Sequence, residues 1–475
     1  FPEHWVSLVE GMRAECGDAV EIVVAQGCSN QVDAQPLVAD VRRADGEPGY
    51  DAAFHAGSDP QGEPAFTRTV DEAGVGFFNP AHNDLPETWC AVFSATWKPR
   101  YTGRWKFILG ARGGNRLRLL LDGQEVAALT VTDDGVRQSF LAKQAVHVEV
   151  GPGEHRLALA VHGGTHASLM ADYDPEPAGD GRLEEAVALA RQADAVVLAL
   201  GNPCHYESEG SDRPDLRLPG RQDELAEAVL AARPDAAVLL TSGAPLELPW
   251  VDRARAILLA HLPGQAGGRA SARVLLGRVN PGGRLPHTWP RRIQDTPAIT
   301  GSGYKRVVYG ETVWVGHRWY DARAIEPLFP FGHGLSYTTF AWSDLQLRER
   351  IDPAQDTELR LAIRNTGGRD GDEIVQCYIE PPPDERLPRP LRQLAGFSRV
   401  PVAAGEMVTA TVRIPWRAWR IWDPDAGGWT IPTGEYGIVL GASSRDLRLR
   451  TTITIDSVTQ DQAGGFTAAD AHLQA

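Results

Sequence analysis

Carboxyl groups gather in one short stretch of this chain. It reads Gly201-Asn-Pro-Cys-His-Tyr-Glu207-Ser-Glu209-Gly-Ser-Asp212-Arg213-Pro-Asp-Leu-Arg-Leu-Pro219-Gly-Arg-Gln222, with Glu207, Glu209, Asp212 and Arg213 falling within seven residues. A carboxyl group in a cleft, its pKa raised by burial or by a like-charged neighbour, can serve as a general acid. The same residues also read as a solvated acidic loop with a structural Asp212–Arg213 contact, and composition alone does not choose between the two. Two other stretches suggest chemistry only superficially. Gly264-Gln-Ala-Gly-Gly268 opens a helix but lacks the Gly-Lys-Ser/Thr of a phosphate loop and the spacing of a dinucleotide fingerprint, so tight strand-to-helix packing is its expected role. Ser242-Gly243 has no Gly-x-Ser-x-Gly around it. The five cysteines (16, 28, 90, 204 and 377) are scattered without a Cys-x-x-Cys pair, which argues against a zinc site or a disulfide framework.

The carboxylate stretch must be positioned by what surrounds it. Leu183, Val187 and Ala190 share a helical face, and the all-apolar run Ala195–Leu200 follows as a strand. The beat repeats: helix 223–232, strand 236–240, strand 256–260 and helix 267–276. Apolar strands alternating with helices predict a mainly parallel sheet covered on both faces. In such a sheet ligands bind outside the carboxyl ends of the strands, where the loop from Gly201 begins. The first residues, with Trp5, Leu8, Val9 and Met12 at helical spacing and an apolar run from Val20 to Ala25, predict a helix and then a strand. Between them and the carboxylate stretch the texture is all β, with alternating runs at 89–97, 103–109, 116–121 and 146–150 and the turn Asp122-Gly123. The reading is an α/β sandwich domain interrupted by an inserted β-sandwich. After Ser336 strands return at 358–365, 373–379, 407–414 and 436–440, predicting an immunoglobulin-like sandwich. The expected boundaries are 1–47 and 175–336 for the two parts of the α/β domain, 48–174 for the insert, 337–458 for the last sandwich and 459–475 for a polar, disordered tail.

The chain has 475 residues with 47 basic and 62 acidic side chains, a formal net charge of −15. That field repels phosphates, so neither nucleic acid nor an anionic membrane surface is an expected partner. No apolar run approaches the roughly 18 residues that span a bilayer. The chain opens Phe-Pro-Glu-His, without Met or a signal-peptide pattern, and reads as a processed chain or a piece of a longer one. A cytoplasmic or a secreted location, and a homo-oligomer, stay open.

Seven motifs in order carry a resemblance: Glu209-Gly-Ser-Asp-Arg213, Leu218-Pro-Gly-x-Gln222, Thr241-Ser-Gly-Ala-Pro245, Leu248-Pro-Trp250, His261-Leu-Pro-Gly-Gln-Ala-Gly-Gly268, Leu275-Leu-Gly-Arg-Val-Asn-Pro-Gly-Gly-Arg-Leu-Pro286 and Pro327-Leu-Phe-Pro-Phe-Gly-His-Gly-Leu-Ser-Tyr337. They resemble the C-terminal half of family 3 glycoside hydrolases, the β-glucosidase family. Asn365-Thr-Gly-Gly-Arg-Asp-Gly-Asp-Glu373 and Gly441-Ala-Ser-Ser444 resemble the fibronectin-III-like domain that ends many members. Phe93-Ser-Ala-Thr-Trp97 and Tyr101-Thr-Gly-Arg-Trp105 resemble a protective-antigen-type sandwich inserted in one branch of the family.

The resemblance implies retaining hydrolysis of terminal non-reducing β-D-glucosyl groups, with no metal and no cofactor. Two carboxyl groups about 5–5.5 Å apart do this chemistry. In the family the nucleophile is an Asp from an N-terminal (β/α)8 barrel, and the acid/base is a Glu from the α/β domain. A barrel of about 250 residues does not fit before the inserted sandwich, so the nucleophile is expected outside this chain, supplied by a barrel in cis or in trans. Ser343-Asp344-Leu, on the linker to the last domain, is not the nucleophile motif. By family position Glu209 is the expected acid/base, Glu207 the runner-up, and Asp212 and Arg213 shape the loop or meet sugar hydroxyls. The alternative is a non-catalytic carbohydrate-binding or scaffold protein built from the same domains.

Overall fold

A computed structural model describes residues 5–28, 37, 41–58, 60, 62–75, 88–99, 102–112, 115–131, 142–163, 166–173, 181–203, 206–207, 213, 215–297, 308–347 and 355–455. The proposed tail, Glu209, Asp212 and Cys204 lie outside the described residues.

Helix α1 (Leu8–Cys16) begins at a capping box: the Ser7 hydroxyl accepts from Glu10 N–H, and the Glu10 carboxylate accepts from Ser7 N–H. The apolar run that follows it forms no strand. Residues 21–27 have no regular structure, and Val20, Val23 and Val24 are more than half exposed. An apolar alternation makes a strand only where a sheet edge accepts it, and no described strand pairs with this segment.

The described strands between residues 41 and 173 form two antiparallel sheets. One runs in the order Phe66–Val70, Tyr50–Ala56, Trp89–Trp97, His155–His162, Arg116–Leu121, Gln124–Thr130. Val41–Arg42 pairs with Trp89–Trp97, so the pairing of this sandwich starts before residue 48. The other sheet runs Gly74–Val75, His166–Tyr173, Gly103–Arg112, Ala142–Val150. Alternate side chains from both faces meet in a core of Phe54, Phe93, Trp97, Phe107, Leu117 and Leu159. Asp122 and Gly123, both at positive φ, close the Arg116–Thr130 hairpin, as the alternation on either side predicts.

His155 is clasped against that turn. Its Nδ1 lies 2.8 Å from Asp122 Oδ2 and its Nε2 lies 3.0 Å from Gly151 O. Both partners are acceptors, so a doubly protonated ring satisfies both contacts. The Asp122 hydrogen bond raises the His155 pKa above its ordinary value, while the bonds from His155 and the Arg156 N–H lower that of Asp122. The histidine's contribution to stability is therefore complete below the ordinary imidazole pKa and is lost as pH rises through the elevated one; the aspartate's is lost only as pH falls through its depressed value. Thermal unfolding of His155→Gln against wild type should show a melting-temperature gap near pH 5.5 that shrinks by pH 9. A gap that stays constant would mean that the ring is neutral throughout.

Helices α2 (Arg182–Gln192), α3 (Gln222–Ala232) and α4 (Gly267–Leu275) alternate with three parallel strands, Val197–Gly201, Ala237–Thr241 and Ala256–Leu259, side by side in that order. The parallel part of the expected fold is thus present as three described strands, while the other sheets are antiparallel. Leu198, Leu200, Val238 and Leu240 pack with Leu225, Val229 and Trp250. Helix α1 lies across α4, where Gly268 N–H donates to Val6 O at 3.1 Å. A Cβ on Gly11 would fall 2.5 Å from Gly268 O, so Gly11 and Gly268 serve a close approach of two helices, where the sequence suggested strand-to-helix packing. Glu15 on α1 pairs with Arg269 and Arg278 at 2.9 and 2.6 Å. Segments that precede and follow the two-sheet sandwich in sequence therefore meet in space.

The described residues from Phe340 to Ile455 are dominated by a second antiparallel sandwich. Phe340–Gln346, Thr357–Asn365 and Met407–Ile414 face Gln393–Val402, Gly371–Glu380, Gly434–Gly441 and Leu447–Ile455. Ser343 and Asp344 are inside its first strand and not on a linker. The Tyr436 hydroxyl donates to Pro432 O at 2.7 Å, a tyrosine corner of the kind found in immunoglobulin-like sandwiches. The short helix α5 (His317–Ala322) sits against this sandwich. His317 stacks on Phe331 at 4.9 Å and meets the edge of Tyr378, and burial pushes its pKa down to about 4.

Candidate active site

The carboxyl ends of the three parallel strands lie side by side and deliver Asn202, Ser242 and His261 to one edge. The loop leaving the first strand is tied at its base by Gln222, the last residue of the Leu218-Pro-Gly-x-Gln motif. The Gln222 amide donates to Gly201 O at 2.9 Å and to Pro219 O at 3.0 Å, and its carbonyl accepts from Gly201 N–H at 2.8 Å. Trp250 of the Leu-Pro-Trp motif is buried one position along, its indole N–H donating to Asp223 at 2.9 Å. Gln222→Ala would take this partner from three backbone groups, part-buried at Gly201 and buried at Pro219, and should cost about 2–3 kcal/mol, read as a drop in the urea midpoint. A midpoint within error of wild type would show that water replaces the amide without loss.

Of the loop's candidate carboxylates Glu207 is described, and it is turned inward. Its Oε2 accepts from Gly243 N–H at 2.9 Å and from the Asn202 amide at 3.3 Å, and its Oε1 lies 3.9 Å from Arg213 Nη1. Arg213 does not reach these atoms alone: its Nη2 donates to Pro245 O, its Nε to Asp215 O, and its guanidinium lies 5.6 Å from the Tyr206 ring centroid. Glu207 and Arg213, both candidates from sequence, are thus brought together, whereas the expected Asp212–Arg213 contact falls on a residue outside those described. Sequence reasoning missed Asn202 and Gly243. Asn202 is a polar residue directly after an apolar strand, and that position was the available signal.

Ser242 is buried, with its hydroxyl donating to Ala244 O at 2.7 Å and accepting from Asn202 at 3.0 Å, so it is committed to the loop. On the third strand end, His261 approaches His287, whose pKa is lowered by burial and then by His261. The Trp289 indole donates to His287 Nε2 at 3.1 Å, which leaves the ring proton on Nδ1. Among the described residues no group of three or more His, Cys, Asp or Glu side chains is arranged to hold a metal ion.

This edge of the sheet falls within a match to the glycosyl hydrolase family 3 C-terminal domain that runs from residue 2 to 337. The chain belongs to glycosyl hydrolase family 3. Residues 373–444 match the fibronectin type III-like domain, in agreement with the last sandwich. Among family 3 relatives, a β-glucosidase of Rhizobium radiobacter is 33% identical over 95% of this chain and 56% of its own length. Probable β-glucosidase K of Emericella nidulans is 33% identical over 96% of this chain and 56% of its own. The crystal structure of a Kluyveromyces marxianus β-glucosidase in complex with glucose superposes with a TM-score of 0.80 at 26% identity, over 96% of this chain and 56% of that one. DesR, a β-glucosidase of Streptomyces venezuelae in complex with D-glucose, gives 0.66 at 27% identity, over 96% and 53%. The chain spans about half the length of the relatives it matches. No helix of the described residues is long and apolar enough to cross a membrane.

Proposed function

We propose that this chain supplies the acid/base half of a retaining β-glucosidase acting on terminal non-reducing β-D-glucosyl groups. The observation that carries the reading is the loop 201–222, which leaves the carboxyl end of a parallel strand and is fastened at its base by Gln222, inside the family 3 match. Glu209, ten residues ahead of Pro219, is the acid/base in this reading. It protonates the glycosidic oxygen as the C–O bond breaks and then takes a proton from the water that hydrolyses the glycosyl-enzyme. Asp212 and Arg213 shape the loop or meet sugar hydroxyls. The nucleophile is an Asp of a (β/α)8 barrel in the length that the relatives carry beyond this match, provided in cis or in trans. The domain reading is 1–47 with 175–336 as one α/β sandwich domain, 48–174 as its insert and 337–458 as the fibronectin-III-like domain; the contact of α1 with α4 supports the split α/β domain, while the pairing of Val41–Arg42 carries the edge of the insert back to residue 41.

The test is complementation. The 475-residue chain alone should turn over an aryl β-glucoside at background rate, because half a cooperating catalytic pair loses orders of magnitude. The same chain joined to the remaining length of a relative should restore turnover. A folded, complemented protein that binds glucosides and hydrolyses none would favour a non-catalytic carbohydrate-binding role. Robust turnover by the purified chain alone would place a nucleophile among these 475 residues.

A further inference from the structure

Glu207 and Glu209 are two residues apart, and the described geometry gives Glu207 a task other than proton transfer. All three groups around its carboxylate are donors: the Gly243 N–H, the Asn202 amide and the Arg213 guanidinium. Its Oε1 is buried without a hydrogen-bond partner in the described structure, as is the Arg213 Nη1 that faces it. A group that must deliver a proton to a glycosidic oxygen has to reach the substrate, and this carboxyl group faces the neighbouring loop. What it joins is specific. Tyr206 and Glu207 close a turn on Pro203 O, and Glu207 then fixes that turn to Gly243 in the loop after the second parallel strand. Arg213 fixes the other side to Pro245 of the same neighbouring loop. In sequence, Glu207 and Arg213 bracket Glu209.

We infer that Glu207 is a positioning residue, a strut between the loops of two adjacent parallel strands that sets where the acid/base is presented. This rests on the reading of Glu209 given above. A misplacement of about 1 Å in a catalytic group can cost 100-fold in rate, so the strut should act on kcat and leave substrate binding nearly unchanged.

Hydrogen exchange on the 475-residue chain reads the strut directly. Glu207→Ala should expose the Gly243 amide, and Glu207→Gln, which keeps an acceptor oxygen, should retain most of its protection. In the complemented, active protein, Glu207→Ala should lower kcat by about 10- to 100-fold. The loss should be similar for activated and unactivated leaving groups, with KM little changed and no rescue by azide, and Glu207→Gln should recover most of it. Wild-type kcat in Glu207→Ala, with only the melting temperature lowered, would reduce the contact to stability and overturn the inference. Azide rescue with leaving-group dependence in Glu207→Ala would make Glu207 itself the acid/base and also overturn it. Failure of the Glu209 reading shows separately, as a Glu209→Ala protein without leaving-group dependence.

Discussion

Replacing Glu209 with alanine in the complemented protein is expected to slow hydrolysis of an alkyl glucoside or cellobiose by about 100- to 10,000-fold, the range a positioned general acid contributes. An aryl glucoside with an activated leaving group needs little protonation and should lose much less in the first step. Its glycosyl-enzyme should then accumulate, because water lacks a base, and external azide, which needs none, should restore turnover and release a glucosyl azide of retained configuration. The basic limb of the pH–rate profile for the unactivated substrate should vanish in the variant, because that limb reports the acid that was removed. Equal losses for both substrates, without azide rescue, would show that Glu209 does something other than move protons. Together with Glu207→Ala, the experiment separates the two neighbouring carboxylates by function, a distinction that residue type cannot make.

The parallel strands and their helices were legible because each strand is apolar on both faces and each helix has a single apolar stripe; observed bounds such as Val197–Gly201 and Gln222–Ala232 fall close to the runs read from sequence. The hairpin at Asp122-Gly123 and the strands of both sandwiches were legible for the same local reasons. What depends on distant partners was not. Val20–Ala25 has the composition of a strand, but its side chains are largely exposed and no described strand pairs with it. Glu207 looks like any acidic loop residue until Gly243, on another strand's loop, is seen to donate to it. Several family motifs also turn out to have structural tasks. Gln222 closes a loop, Gly268 admits a helix, and the Phe331-Gly-His-Gly segment touches the last sandwich, where Gln376 donates to Gly332 O at 3.0 Å and Ser444 N–H to Phe331 O at 2.9 Å.

That junction carries the second large expected effect. Arg284, from the Asn-Pro-Gly-Gly-Arg motif, and Glu373, from a strand of the last sandwich, form an ion pair at 3.1 Å with side chains only 9% and 2% exposed. Removing one member strands a charge where water cannot reach it, a loss of about 3–5 kcal/mol for a buried pair. Arg448, 3.4 Å from the other Glu373 oxygen, remains as a partner, so Arg284→Met should fall near about 3 kcal/mol, the lower end of that range. Replacing both residues, as Arg284→Met with Glu373→Leu, removes the stranded charge and should recover much of the loss, since a buried pair is often no more stabilising than a well-packed apolar one. Denaturant unfolding of the four proteins in this cycle measures the coupling. Single losses that simply add in the double variant would mean that the two charges do not sense each other. In that case the packing of Phe331, Gly332 and Gln376, and not the ion pair, would hold the last sandwich to the parallel-sheet unit.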